Sequence, residues 1–273
     1  MATMEDRPIG VFDSGFGGLT VARAVIDLLP YENLVYIGDT GRYPYGPRPL
    51  DEVRGFAQQI AAKLVQEHGV KMVVVACNTA AAAGLDRLRQ AVDVPVMSVI
   101  EPGLRAALRA TDNGRVGVIG TVGTIRSGAY QRSVKELAGE SRVELTCAAC
   151  PGFVEFVERG ETDSDQVYVL AERLLAPVRE AKVDTLLLGC THYPFLARTI
   201  SDVVGRDVVL VSSADETAFE LRSTLAGTDL RRSGDAPGTH TWISSGDTDT
   251  FRRLGRRLLG PEIDRVEAWD PGA

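Results

Sequence analysis

Two stretches of this chain are versions of one another, and together they restrict the possible folds more than any other feature. Val73-Val-Val-Ala-Cys77-Asn78-Thr79-Ala80 and Leu186-Leu-Leu-Gly-Cys190-Thr191-His192-Tyr193 each carry an apolar run of strand length into a cysteine. An amide or hydroxyl side chain suited to capping a helix follows each cysteine. The first stretch opens an alanine-rich helical pattern reaching Val92, and the second a shorter one from about Phe195 to Val204. A second echo supports the first. Arg115-Val-Gly-Val-Ile-Gly-Thr121 repeats Pro8-Ile-Gly-Val-Phe-Asp13-Ser14 at an offset of 107, and the cysteines lie 113 apart.

Between these landmarks, strand and helix patterns alternate. Strands are expected at Ile9–Asp13, Leu34–Ile37, before Cys77, at Pro95–Ile100, Arg115–Thr121, near Val143, before Cys190 and at Val208–Val211. Helices are expected over about 19–29, 51–68, from Glu101, 124–138 and 165–182. The tail adds a helix at 215–226, an extended stretch at 239–244, a helix from Thr248 and a short strand at Val266. Near-continuous apolar strands separated by helices imply parallel sheets covered on both faces. The expected fold is therefore α/β: two pseudo-symmetric α/β domains with mainly parallel sheets facing each other across a cleft.

Ligands of such sheets sit at the carboxyl ends of the strands. The repeat puts Asp13, Ser14 and Cys77 on one wall of the cleft and Thr121, Cys190 and His192 on the other. A ligand would lie between two thiols. Each cysteine would also feel the start of the helix that follows, which favours the thiolate. His192 is two residues from Cys190 and titrates near neutrality when unperturbed, so it can steer a proton there.

Other motifs carry less. Ser14-Gly-Phe-Gly-Gly18 has neither the dinucleotide nor the Walker spacing, so it reads as a tight strand-to-helix turn. The loop Gly38–Pro49 holds three prolines and three glycines between residues 38 and 49 and is stiff rather than disordered. Cys147-Ala-Ala-Cys150 reads as core, because no second such pair accompanies it and the three histidines are distant in sequence. No set of four zinc ligands is recognisable, so no metal is expected. Four cysteines in 273 residues are no disulfide framework and fit a reducing compartment. A net charge of −7 gives no footprint for nucleic acid, and no apolar run is long enough for a bilayer. The polar N-terminus lacks a signal-peptide core, which points to the cytoplasm.

These residues carry a family likeness. Asp13-Ser-Gly-x-Gly-Gly, Gly38-Asp-x-x-Arg-x-Pro-Tyr-Gly46, Ala76-Cys-Asn-Thr-Ala80, Glu101-Pro-Gly, Gly120-Thr and Leu188-Gly-Cys-Thr-His-Tyr-Pro194 together resemble the bacterial glutamate racemases. These belong to the cofactor-independent aspartate/glutamate racemase superfamily. The likeness runs in order from about Ile9 to Leu210; Gly41 and Tyr43 depart from the pattern at variable positions.

The resemblance implies a discontinuous first domain, 1–98 plus 208–273, and a second domain, 99–207. It implies interconversion of L- and D-glutamate, the D-isomer feeding peptidoglycan, without a cofactor. Cys77 and Cys190 would be the catalytic pair, assisted by Asp13 and His192. Asp13, Ser14, Tyr45, Gly46, Asn78, Thr79, Thr121, Thr191 and His192 would bind substrate, with Asp39 and Glu158 in support. Homodimers are common in the family, and some members are thought to restrain DNA gyrase; no stretch of this sequence decides either point.

The chemistry is coherent on its own terms. Inverting an α-carbon needs a base on one face and an acid on the other, and a thiolate facing a thiol serves both directions. Two rivals remain open on the residues alone: racemisation of aspartate or another amino acid, whose side-chain length depends on pocket shape, and a two-lobed amino-acid-binding protein, for which paired cysteines would be superfluous.

Overall fold

The computed structural model describes residues 4–139 and 143–272; residues 1–3 of the polar N-terminus lie outside them. The first half runs β1 (Ile9–Asp13), α1 (Leu19–Leu28), β2 (Leu34–Gly38), α2 (Leu50–Gln66), β3 (Met72–Val75), α3 (Asn78–Ala82), α4 (Leu85–Ala91), β4 (Val96–Ser98) and α5 (Ile100–Ala110). The second runs β5 (Arg115–Gly120), α6 (Val122–Arg126), α7 (Ala129–Leu137), β6 (Glu144–Ala149), α8 (Phe153–Arg159), α9 (Asp165–Leu174), α10 (Ala176–Glu180) and β7 (Thr185–Gly189). It continues through a 3₁₀ turn (Tyr193–Leu196), α11 (Ala197–Val204) and β8 (Val209–Ser212). The tail supplies α12 (Ser213–Ala226), β9 (His240–Ser244), α13 (Thr248–Leu258) and β10 (Val266–Ala268).

Every residue of β1, β2, β3 and β7 is buried, as expected of strands covered on both faces. All pairings are parallel. One sheet has the order β10-β9-β2-β1-β3-β4 and the other β6-β5-β7-β8. In the first, Phe12 lies between Ile37 and Val75; in the second, Ile119 lies between Ala148 and Leu188. The duplication read from sequence is thus a duplication of topology. β2-β1-β3-β4 and β6-β5-β7-β8 are the same arrangement, and β9 and β10 extend the first sheet beyond β2.

The expected division at 208 put the strand after it with the first half. That strand, β8, pairs with β7 in the second sheet, where it takes the place β4 has in the first. The tail joins the first half from α12 onward. α12 buries Ala214, Thr217, Ala218, Leu221 and Leu225, one face at helical spacing, against α1 and α5. α5 also packs on β7, so it ties the halves together.

Four expected elements break where local chemistry requires it; the 124–138 helix is one of them, divided at Gly128, whose φ is 70°. The helix toward Val92 stops at Gly84, whose φ of 143° an L side chain rarely adopts. The 165–182 pattern divides around Leu175, just before Pro177, which has no N–H to continue a helix. The strand expected through Ile100 ends at Ser98, since Ile100 already begins α5. Among the described residues, no helix is long and apolar enough to cross a membrane.

Candidate active site

Both walls are built at strand ends. After β1, Asp13 is fully buried, and its Oδ2 accepts the Gly18 N–H at 2.7 Å, which fixes the carboxylate at the start of α1. After β3 comes Cys77. The sequence suggested Asn78 or Thr79 as the helix cap, but the cap is the cysteine itself: the Ala80 N–H donates to Cys77 Sγ at 3.4 Å, and Asn78 is already helical. Cys77 Sγ in turn lies 3.6 Å from Ser14 Oγ. Asn78 Nδ2 donates to Tyr130 Oη at 2.9 Å. Thr79 Oγ1 lies 3.0 Å from Thr121 Oγ1 and 3.2 Å from Thr124 Oγ1, so hydroxyls of the two halves touch.

The second wall is made differently. Cys190 follows β7, yet the chain turns through 3₁₀ geometry before α11 begins, so its sulfur caps no α-helix. An imidazole stands beside it instead, with Cys190 Sγ 3.9 Å from His192 Nδ1 and His192 Nε2 3.5 Å from Glu158 Oε1 on α8. The two thiols therefore occupy equivalent strand ends but unequal surroundings.

Asp13, Ser14, Tyr45, Gly46, Cys77, Asn78, Thr79, Thr121, Thr191, His192 and Cys190 all line one cavity of about 120 Å³ between the halves. Asp39 does not line it. It is buried behind the wall, where it accepts from the Tyr45 hydroxyl, from Arg42 Nε at 2.7 Å and from Ser245 Oγ at 2.5 Å. Its carboxylate holds the Tyr45 hydroxyl from behind. The glycine turn after β1 also has an explanation, which is not a phosphate. A Cβ on Gly17 would stand 2.3 Å from Thr191 Oγ1 and 2.4 Å from His192 Nδ1, so only a glycine lets the two walls meet there.

The electrostatics overturn one expectation. Helix starts were expected to favour the thiolate at both cysteines, but at Cys77 burial, reinforced by the Asp13 carboxylate, pushes the thiol up to about 12. The Ala80 N–H and Ser14 act in the other direction and are outweighed. Cys77 therefore rests as a thiol. For His192, burial alone would lower the value; hydrogen bonding to Cys190 and Glu158 and the nearby charges outweigh it and raise it to about 10. Burial likewise pushes Cys147 up to about 11 and Cys150 up to about 12. Among the described residues, no group of three or more His, Cys, Asp and Glu side chains is arranged to hold a metal ion.

Residues 19–220 match the family described as Asp/Glu/Hydantoin racemase. This chain belongs to that racemase family. It is 52% identical over 264 residues to the glutamate racemase of Acidothermus cellulolyticus, covering 96% of this chain and 99% of that one. A glutamate racemase isoform of Bacillus anthracis has a similar structure, with a TM-score of 0.90 at 40% identity over 97% of each chain. The glutamate racemase of Francisella tularensis, solved in complex with D-glutamate, matches with a TM-score of 0.90 at 31% identity over 98% of each chain.

Sequence reasoning missed several residues of this racemase's cavity. Tyr43, Cys150, Glu155 and Tyr193 line it as well. Cys150 had been read as core, and it is buried, but its position after β6 mirrors that of Cys190 after β7, and its carbonyl accepts the Tyr193 hydroxyl at 3.1 Å. The strand-end rule that found the other two cysteines would have found it. Tyr43 reaches the cavity from the stiff loop after β2, its ring centroid 6.4 Å from that of His192, and nothing local in the sequence signals this.

Proposed function

We propose that this chain interconverts L- and D-glutamate by a two-thiol, cofactor-independent mechanism and supplies D-glutamate for peptidoglycan. The observation that carries the reading is the pair of cysteines at equivalent strand ends of two copies of one sheet, both lining one cavity.

The geometry supports a base on each side of the substrate, and the likeness to the glutamate racemases suggests which thiol serves which isomer. Cys190 removes the α-proton of L-glutamate from one face, and Cys77 returns a proton to the other; from D-glutamate the roles exchange. His192 takes up or releases the proton at Cys190. Buried acceptors without partners, Asp13 Oδ1 and Asn78 Oδ1, suit the substrate's ammonium. That cation beside Asp13 offsets the negative charge that adds to burial in keeping Cys77 protonated, so substrate binding favours Cys77 acting as a base. The hydroxyls of Ser14, Thr79, Thr121 and Thr191 suit the carboxylates and the charge that develops as the α-carbon is deprotonated.

The test uses dialysed enzyme with L-glutamate and L-aspartate compared by loss of optical rotation, followed by glutamate analogues bearing a leaving group next to the α-carbon, which need one deprotonation only. Cys77→Ser should eliminate from the L-analogue and fail on the D-analogue, and Cys190→Ser should do the reverse. Equal handling of both analogues by both variants would exclude the two-thiol assignment.

A further inference from the structure

Of the described residues that line the cavity, Pro47, Pro151 and Glu155 alone are exposed, so its mouth lies among them. Pro47 belongs to the loop after β2, and the other two to the segment that opens α8, so the two halves share the mouth. Two of the three carry no charge. The third is a carboxylate, and among the described residues no hydrogen bond or ion pair engages it. No lysine or arginine lines the cavity, and Arg48, the basic residue next to Pro47, is already paired with Glu52 at 2.5 Å. The charge is felt inside. Burial holds the phenols of Tyr43 and Tyr193, which line the cavity from opposite halves, well above their ordinary range, and the Glu155 charge adds to this at both. An uncompensated negative charge thus stands where every ligand must pass.

We propose that Glu155 is a specificity-determining residue at the mouth of the cavity, which disfavours dicarboxylates that lack an ammonium relative to glutamate. The assignment rests on the glutamate reading above. Near neutral pH glutamate carries two carboxylates and an ammonium, a single net negative charge, whereas glutarate and the 2-oxo acid of the same chain carry a double one. Repulsion from a fixed carboxylate grows in proportion to that charge, so the deaminated acids lose about twice the free energy that glutamate does. Selection of this kind works by penalty and not by contact. An arginine at the mouth would attract both carboxylates of glutamate, but it would attract the deaminated acids more strongly still.

The test compares wild type with Glu155→Gln in steady-state racemisation of L-glutamate, with glutarate as inhibitor, at about 0.01 M and about 0.5 M salt. A unit charge acting on another across about 8 Å of water changes binding about twofold. At low salt the variant should therefore lower KM for L-glutamate about twofold and the inhibition constant of glutarate about fourfold. Both changes should shrink toward none at the higher salt, where the Debye length is about 4 Å, because a charge at a hydrated rim acts through salt-dependent association. Glu155 is exposed, so the variant should fold as wild type does. An acid in the first turn of α8 could serve only to complement the helix start. Glu155→Gln would then shift Tm slightly and leave both constants and their salt dependence as in wild type, which overturns the assignment. Equal falls for the two ligands overturn it too. So does a raised KM with the glutarate constant unmoved, which would place Glu155 against the substrate's ammonium. These three outcomes arise in an active racemase and leave the substrate reading standing; wild-type enzyme that left L-glutamate unchanged would remove that reading, and the role of Glu155 with it.

Discussion

Replacing Gly17 with alanine is a sharp test of how the two walls cooperate. Gly17 does not occupy the left-handed region, so its backbone accepts an alanine. The obstacle lies across the cleft. The new Cβ would meet Thr191 Oγ1 at 2.3 Å and His192 Nδ1 at 2.4 Å, and ordinary contact begins near 3.4 Å, so both side chains must withdraw by about 1 Å. His192 Nδ1 is the atom that faces Cys190 Sγ, already 3.9 Å away. A displacement of about 1 Å in a catalytic group costs on the order of 100-fold in rate. For racemisation the equilibrium constant is unity, so kcat/KM must fall equally for L- and D-glutamate. Polarimetry should show that symmetric loss. The displaced Thr191 should weaken binding of both analogues that need one deprotonation, but at saturating analogue the symmetry should break, with elimination from the L-analogue, which uses Cys190, falling about 100-fold and that from the D-analogue, which uses Cys77, nearly unchanged. Equal losses on both analogues, with the melting temperature preserved, would refute the claim that the glycine serves His192.

Three further outcomes are expected. His192 is raised from 6.5 to about 10 in the folded protein, so its contribution to stability is full below pH 6.5 and lost as pH rises through 10; Cys77, raised from 9.0 to about 12, adds a later loss between pH 9 and 12. Calorimetry should show Tm declining across both windows in wild type, and His192→Asn should abolish the first decline only. Lys71 is fully buried with its Nζ 2.5 Å from Glu32 Oε2, so Lys71→Met strands a buried carboxylate and should cost about 3–5 kcal/mol in urea denaturation while leaving kcat of the folded enzyme intact. Racemisation should survive EDTA and need neither pyridoxal phosphate nor nucleotide; full loss in EDTA, restored by one metal, would count against the two-thiol chemistry.

Much of this molecule was legible before the structure. Val73–Val75 and Leu186–Leu188 announce central strands because a strand covered on both faces must be apolar throughout, and the echo between Pro8–Ser14 and Arg115–Thr121 marks the duplication. The polar groups that follow those strands were legible by position; their proposed roles came from family resemblance. What the sequence hid depends on tertiary approach. Glu158 reaches His192 from α8, a helix of seven residues bounded by glycines and too short to leave a periodic signal. Cys77 as its own helix cap was hidden because the neighbouring Asn78 and Thr79 are far commoner caps. The raised value of Cys77 was hidden too, since the local cue, a helix start, has the opposite sign to burial beside Asp13.

The two sheets also differ in when they can exist. All strands of the second lie within Arg115–Ser212, while the first waits for His240–Ala268 to supply β9 and β10. On a ribosome delivering the chain from its N-terminus, the second sheet has all its strands while the first is still one flank short. Until residues 240–244 emerge, β2 presents Leu34-Val-Tyr-Ile-Gly38 as an open, wholly apolar border, the kind that recruits foreign strands. A nascent chain stalled after Ser212 therefore carries Cys77, Cys190 and most of both walls, yet still presents the open border of β2 to other chains.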